Sequence, residues 1–259
     1  MLNITLLNAA GDMLCTAAGE SRAHILYNGA YEPGMSLAFQ AEGRFLWVQV
    51  DTAMAPALVY LPEGRFVYRI PQGEARAAYP PQAFSGDTHL IRARHALPEE
   101  VSARRNLALN PADQRGDSLA FPHAYANVET RDEAGFAARN AIDGCLENTG
   151  HGAWPYQSWG IGAREDAWCQ LDFGRPVRVD TAALVLRADF PHDAYWTRAE
   201  LLLSDGARIA FPLEKTGEKQ FIPLGTHTVT WMRLENLVKS DDPSAFPALI
   251  EWEVYGAEA

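Results

Sequence analysis

Between Gly150 and Gly160 the chain reads His151-Gly-Ala-Trp154-Pro-Tyr156-Gln-Ser-Trp159. Three aromatic rings and an imidazole lie on a glycine-flanked stretch that lacks the apolar and polar alternation of a half-buried strand. Sugars present flat C–H faces rimmed by hydroxyl groups. An exposed ring can cover the face, and planar or forked donors can grip the rim. One of Trp154 and Trp159 is expected in the core, and at least one other ring of the loop is expected to face solvent. A second cluster, Arg187-Ala-Asp189-Phe-Pro-His192-Asp193-Ala-Tyr195-Trp196, follows the apolar residues 182–186. Arg187 either serves a ligand or pairs with Asp189 or Asp193, and Trp196 lies either in the site or in the core. His123, in Phe121-Pro-His-Ala-Tyr125, is a third loop candidate whose plainer reading is a solvated histidine.

Signatures of catalysis are missing from the sequence. It contains no Gly-x-Ser-x-Gly, His-Glu-x-x-His, phosphate-binding lysine loop or Gly-x-Gly-x-x-Gly. Carboxylates are plentiful, with 33 Asp and Glu residues, but a glycosidase needs two that face each other, which spacing alone does not reveal. The 7 histidines include no pair at helical i, i+4 spacing and are read as surface or loop residues.

The elements that must carry these loops are strands. Residues 4–7, 23–27, 36–39, 45–50, 57–60, 65–70 and 88–93 are short, rich in β-branched or aromatic side chains, and separated by turns such as Asn28-Gly29 and Pro33-Gly34. They predict a small β-sandwich over residues 1–97. Residues 98–105 are polar, with a proline and some helical character, and read as a linker. A second strand set follows at 168–173, 178–187, 198–203, 208–212, 219–223, 228–234 and 249–255, with a hairpin turn at Ser204-Asp205-Gly206. A helix is predicted over 134–142, ending at Asp143-Gly144.

Composition narrows the partners. A chain of 259 residues with 47% hydrophobic and 21% charged residues can build packed cores. A formal net charge of −11 repels phosphate backbones and anionic lipid, so nucleic acid is excluded as a partner and a neutral ligand fits. No apolar run approaches the ~20 residues of a membrane span, and no secretion signal is visible. The chain is expected in the cytoplasm as it stands, or outside the cell if a leader has been removed. Cys15, Cys145 and Cys169 are far apart, which argues against a disulfide framework or structural zinc.

Five motifs stand in order across the second half. They are Asn106-Leu-Ala-Leu-Asn-Pro, Ala141-Ile-Asp-Gly with Thr149 beyond it, Ala167-Trp-Cys-Gln-Leu-Asp-Phe-Gly-Arg-Pro-Val, Leu203-Ser-Asp-Gly and Ile250-Glu-Trp-Glu-Val-Tyr-Gly. Through them the segment from Asn106 to Gly256 resembles the discoidin, or coagulation factor type C, family (galactose-binding-like domains), and within it the family 32 carbohydrate-binding modules. The resemblance implies an eight-stranded jelly roll whose loops at one end hold the ligand. It places His151, Trp154, Tyr156 and Trp159 near the binding loop, and gives Arg187 the role of gripping hydroxyls. His192 stands where the family often has Asn. A structural calcium ion is also implied near the Asp-Gly turn, held by Asp143, Asn148, Thr149 and Glu251 with carbonyls such as that of Asn140. Against the ion, Cys145 stands where a second oxygen ligand is common; without the ion, Asp143 caps a turn. Residues 1–98 fall outside the resemblance.

The sequence therefore predicts an all-β protein of two β-sandwich domains, 1–97 and 106–259, the second a galactose-binding-like jelly roll. The expected function is non-catalytic recognition of a glycan or small sugar, with no cofactor required and no membrane insertion. The alternatives are a small glycan-active hydrolase or lyase with its site between the domains, and a protein-interaction module. Oligomeric state is not encoded in any feature of the sequence.

Overall fold

The computed structural model describes residues 1–116, 118–148, 154–188 and 194–259. In the first sandwich, β1 (Leu2–Leu7), β2 (Met13–Gly19), β3 (Arg22–Asn28), β4 (Ser36–Ala41), β5 (Phe45–Gln49), β6 (Ala57–Tyr60), β7 (Arg65–Arg69) and β8 (Thr88–His95) form two antiparallel sheets. Their orders are β2-β1-β4-β7 and β3-β8-β5-β6. Period-two alternation sends Leu2, Ile4, Leu6, Leu37, Phe39, Phe66 and Tyr68 inward from one sheet, and Ala23, Ile25, Leu46, Val48 and Ile91 from the other. Phe39 lies opposite Phe66 across the ladder, and their rings stack at 4.7 Å. The seven predicted strands are all present. β2 was not predicted: Met13-Leu-Cys-Thr-Ala-Ala-Gly has little β-branched character, and its pairing with β1 overrides its weak propensity.

The segment read as a linker forms a short helix, α1 (Pro98–Ser102), with proline in its first turn and Glu100 accepting the Leu97 amide at 2.8 Å. The second sheet system consists of β9 (Arg105–Asn106), β10 (His123–Ala126), β11 (Trp159–Gly160), β12 (Cys169–Leu186), β13 (Trp196–Leu203), β14 (Arg208–Pro212), β15 (Gln220–Lys239) and β16 (Ala248–Glu258). The order is β11-β16-β12-β15-β13-β14, with β10 also on β12 and β9 on β16. Two pairs of predicted strands are fused into the long β12 and β15, which bend at register shifts instead of ending. Both halves of β12, through Leu171 and Phe173 and through Leu184 and Leu186, bury side chains in one jelly-roll core. At the bend Gly174 has φ +67°, and a Cβ there would lie 2.5 Å from the Phe121 ring, so the turn admits only glycine.

The predicted helix over 134–142 is instead two 3₁₀ segments, Ala134–Phe136 and Ala138–Ile142, with Ala137 extended between them. Side chains have taken the backbone groups that a continuous helix would use. Asn140 Nδ2 donates to the Ala134 carbonyl at 2.8 Å, and Glu129 Oε1 accepts the Ala138 amide at 2.7 Å.

The two sandwiches share a polar and apolar seam. Tyr60 and Phe121 exchange backbone hydrogen bonds at 2.8 and 3.0 Å. Gln114 donates to the Arg69 carbonyl and accepts from its amide, and Glu74 accepts the Ala134 amide at 2.8 Å. Ala112, Ala120 and Ala134 pack into the core of the first sandwich, so burial crosses the predicted domain boundary. Among the described residues, no helix is long and apolar enough to cross a membrane.

Candidate functional site

The loop that begins with the described residue Trp154 divides its rings between solvent and core. Trp154 is 36% exposed, whereas Trp159 is fully buried. Trp159 donates from Nε1 to the Val128 carbonyl at 2.9 Å, and its ring centroid is 6.2 Å from that of Trp196, also fully buried. Trp159 and Trp196 are therefore corrected from ligand-binding candidates to core residues, since a ring without accessible surface offers no face to a sugar. Tyr156 is partly buried and meets Phe136 edge to face at 6.1 Å. Tyr195 is likewise partly buried and packs against the core.

Arg187 links the two predicted loops. It is only 6% exposed, and its Nη1 lies 3.4 Å from the Tyr156 carbonyl oxygen, so the guanidinium sits beneath the backbone of the Trp154 loop. His151, His192 and Thr149 lie outside the described residues. His123 is neither in a loop nor solvated: it begins β10, is 7% exposed, and places Nδ1 2.8 Å from Asp113 Oδ1. That burial removes it from the exposed loop rim. The reading of the histidines as surface groups fails again at His89, which is 4% exposed and stacks on Tyr31 at 3.8 Å.

Trp154 lines a cleft of about 220 Å³ between the sandwiches. Its floor and second wall hold Gln157, Asp143, Cys145 and Glu147. The facing wall, made by Met54 and Ala55 of the first sandwich and by Tyr79-Pro80, was missed in the sequence. No local pattern could have found it, because only the seam brings residues 54–55 and 79–80 to the Asp-Gly turn. Arg139 is the pin behind the wall. It is 3% exposed, donates to the carbonyls of Asp113 at 3.0 Å and Pro111 at 3.1 Å, and lies 4.8 Å from the Tyr79 ring centroid.

The acidic groups at the turn are inside the protein. Asp143 Oδ1 accepts the Cys145 amide at 2.9 Å, and its Oδ2 is 3.5 Å from Arg139 Nη1 and 3.4 Å from Gln157 Nε2. Burial pushes Asp143 up to about 6 despite the opposing Arg139. Glu251 is fully buried, accepts the Gly144 amide at 3.1 Å through Oε2, and is raised well above the usual carboxylate range by burial and then by Asp143. Its Oε1 has no hydrogen-bond partner among the described residues, and neither has Asn148 through Oδ1 or Nδ2. Burial, with Asp143 second, also pushes the Cys145 thiol up to about 12, which keeps it protonated and unreactive at neutral pH.

No known family model matches the chain, and no curated protein matches it. Among solved structures it is similar to chitosan-binding module 1 of a chitosanase/glucanase from Paenibacillus sp. IK-5, with 21% identity and a TM-score of 0.43 over 59% of this chain and 99% of that one. It is similar to the lectin domain of lectinolysin complexed with Lewis B antigen, with 19% identity and a TM-score of 0.43 over 59% and 97% of the two chains. A third is the family 32 carbohydrate-binding module of C. perfringens NanJ in complex with galactose, with 16% identity and a TM-score of 0.39 over 51% and 91%.

Proposed function

We propose that this chain is a non-catalytic carbohydrate-binding protein that seats a small neutral sugar, or the end of a glycan, against Trp154. The observation that carries this reading is the partly exposed indole in a cleft of about 220 Å³, beside the Gln157 amide and the exposed Glu147 carboxylate. A ring supplies the apolar face and the exposed Glu147 carboxylate accepts hydroxyl hydrogen bonds, while Gln157, held by Asp143 and the Tyr156 amide, fixes the floor beneath them. Tyr156 and Arg187 set the position of the loop, and His151 and His192 are assigned to the same rim by sequence. Binding is favoured over hydrolysis because Asp143, one of the two carboxylates lining the cleft, already serves the Cys145 amide, Arg139 and Gln157. A glycan array of the whole chain tests the reading. Selective capture of one terminal sugar supports it; no capture of any neutral glycan overturns it.

A structural calcium ion belongs to the same proposal. Among the described residues no three His, Cys, Asp or Glu side chains converge as a metal site. The fit rests instead on hard oxygens. The buried, unpartnered Glu251 Oε1 and Asn148 Oδ1 would hold the ion, with Asp143 and Thr149 as the remaining ligands implied by the resemblance. When bound, the ion would supply positive charge that keeps Glu251 ionised.

A further inference from the structure

The solvent face of the second sandwich carries residues that neither its core nor the Trp154 cleft explains. Along β12 the core takes Cys169, Leu171 and Phe173, so Gln170 and Asp172, with Trp168 just ahead of the strand, fall on the opposite face. The register brings Tyr125 of β10 opposite Gln170, and Gln170 opposite Arg233 of β15. The next row is His123, Asp172 and Trp231. Two tryptophans and a tyrosine therefore stand together where an antiparallel sheet ordinarily shows charged or small polar residues.

They are held in fixed positions. Tyr125 is 37% exposed, and its ring meets Trp168 edge to face at 6.0 Å. The Arg233 guanidinium carbon lies 4.4 Å from the Trp168 ring centroid and 5.6 Å from that of Trp231. Gln170 locks the set: its Nε2 donates to Tyr125 Oη at 2.5 Å, and its Oε1 accepts from Arg233 Nε at 3.0 Å and Nη2 at 2.7 Å. Such a surface loses little side-chain freedom when something lies on it.

From this geometry we infer that the β10-β12-β15 face is a second carbohydrate site, one that takes a neutral polysaccharide along its length. Arg233 stands between the Trp168 and Trp231 rings as a planar donor suited to hydroxyl rims, while Gln170, only 5% exposed, serves to hold Tyr125 and Arg233 in place. The platform crosses two strand spacings, about 10 Å, and so is longer than one sugar ring. Charge selects the occupant. Asp172 lies within the face and Glu235 and Glu200 border it, against the cations Arg233 within it and Arg208 beside it, so the face offers no cationic excess to hold a polyanion, and the chain as a whole carries −11. The face shares no residue with the Trp154 cleft and takes chains where the cleft takes ends.

The test is binding of cellohexaose, xylohexaose, chitohexaose and polygalacturonate to the full chain, followed by tryptophan fluorescence and calorimetry. Tyr125→Ala and Trp231→Ala are compared with Trp154→Ala, and each melting temperature is recorded. We expect at least one neutral hexasaccharide to bind in the Trp154→Ala background, where the cleft no longer holds its end, with affinity reduced about tenfold or more when either face substitution is added. Tyr125 is exposed, so its variant reads binding even if Trp231→Ala disturbs the sheet. The inference falls if hexasaccharide binding in the Trp154→Ala background survives Tyr125→Ala, if only polygalacturonate binds, or if no chain binds. Binding lost in Trp154→Ala alone removes this second site and leaves the cleft reading intact. Loss in the face variants alone, with no terminal sugar captured, does the reverse.

Discussion

Arg175 and Glu258 close the seam between the sandwiches: Nε and Nη2 of the arginine reach the two carboxylate oxygens, both at 2.7 Å. The same guanidinium lies 4.8 Å from the Tyr60 ring and 5.0 Å from that of Phe45, both in the first sandwich. Glu258 remains partly exposed to solvent, so removing Arg175 costs less than the roughly 3–5 kcal/mol of breaking a fully buried pair. Arg105 also reaches Glu258, at 2.7 Å, and softens that loss. Arg175→Ala is expected to lower the melting temperature while unfolding stays a single transition, because the Tyr60–Phe121 bridge and the alanines packed across the seam remain. An unchanged melting temperature would mean that those contacts alone carry the seam.

Trp154→Ala should act on binding alone. The indole is 36% exposed and lines the cleft, so truncation removes a stacking face without opening the core. Loss of one ring contact costs about 1–2 kcal/mol, roughly a tenfold weakening for the captured sugar. The melting temperature should move little. Normal sugar affinity in the variant would place the site elsewhere.

Trp159→Ala and Trp196→Ala should do the opposite. Both rings are fully buried and neighbour each other in the jelly-roll core. Each truncation is expected to cost about 3–5 kcal/mol, because the surrounding structure collapses only partly into the cavity. Denaturant midpoints measure this directly, and a midpoint near that of the unaltered chain would contradict the burial.

The contrast among these tryptophans shows what a sequence conveys. Strand existence was legible because burial imposes a period of two, visible in Leu2-Asn-Ile-Thr-Leu and in Cys169-Gln-Leu-Asp-Phe. The hairpin at Asp205-Gly206 was legible from turn chemistry, and Asp205 Oδ1 does accept the Ala207 amide at 3.0 Å. A loop has no such phase, so Trp154 and Trp159 could not be told apart until the fold placed them. The fused β12 was misread because Gly174 and Pro176 look like a stop, whereas a bulge bends the strand and lets it continue. Trp168 did carry a readable signal: it shares the phase of Gln170 and Asp172, the solvent side of the strand. The cleft wall of Met54, Ala55 and Pro80 carried none, because it arises only from docking.

The turn at Asp143 and Glu251 makes stability depend on pH and on calcium together. Both carboxyl groups are raised in the folded chain, Asp143 to about 6, and Glu251 in the same direction. A carboxyl whose folded value exceeds its unfolded value binds more protons when native. Its stabilisation is complete below the ordinary carboxylate range, at about pH 4, and is lost as pH rises through the folded value. Without added metal, the melting temperature should therefore decline from about pH 4 toward pH 7. Groups held low, such as the exposed Asp180 paired with Arg104 and Glu100 paired with Arg94, change only below that window. Calcium competes with protons for the same oxygens, so it should restore stability at pH 7 and lose its effect near pH 4. Glu251→Gln separates the contributions: it should flatten the pH dependence of the metal-free chain and abolish the calcium-induced rise. If melting curves at pH 7 are identical in calcium and in chelator, no ion is held there. If Glu251→Gln also leaves the pH profile untouched, burial of that carboxylate is not what sets it.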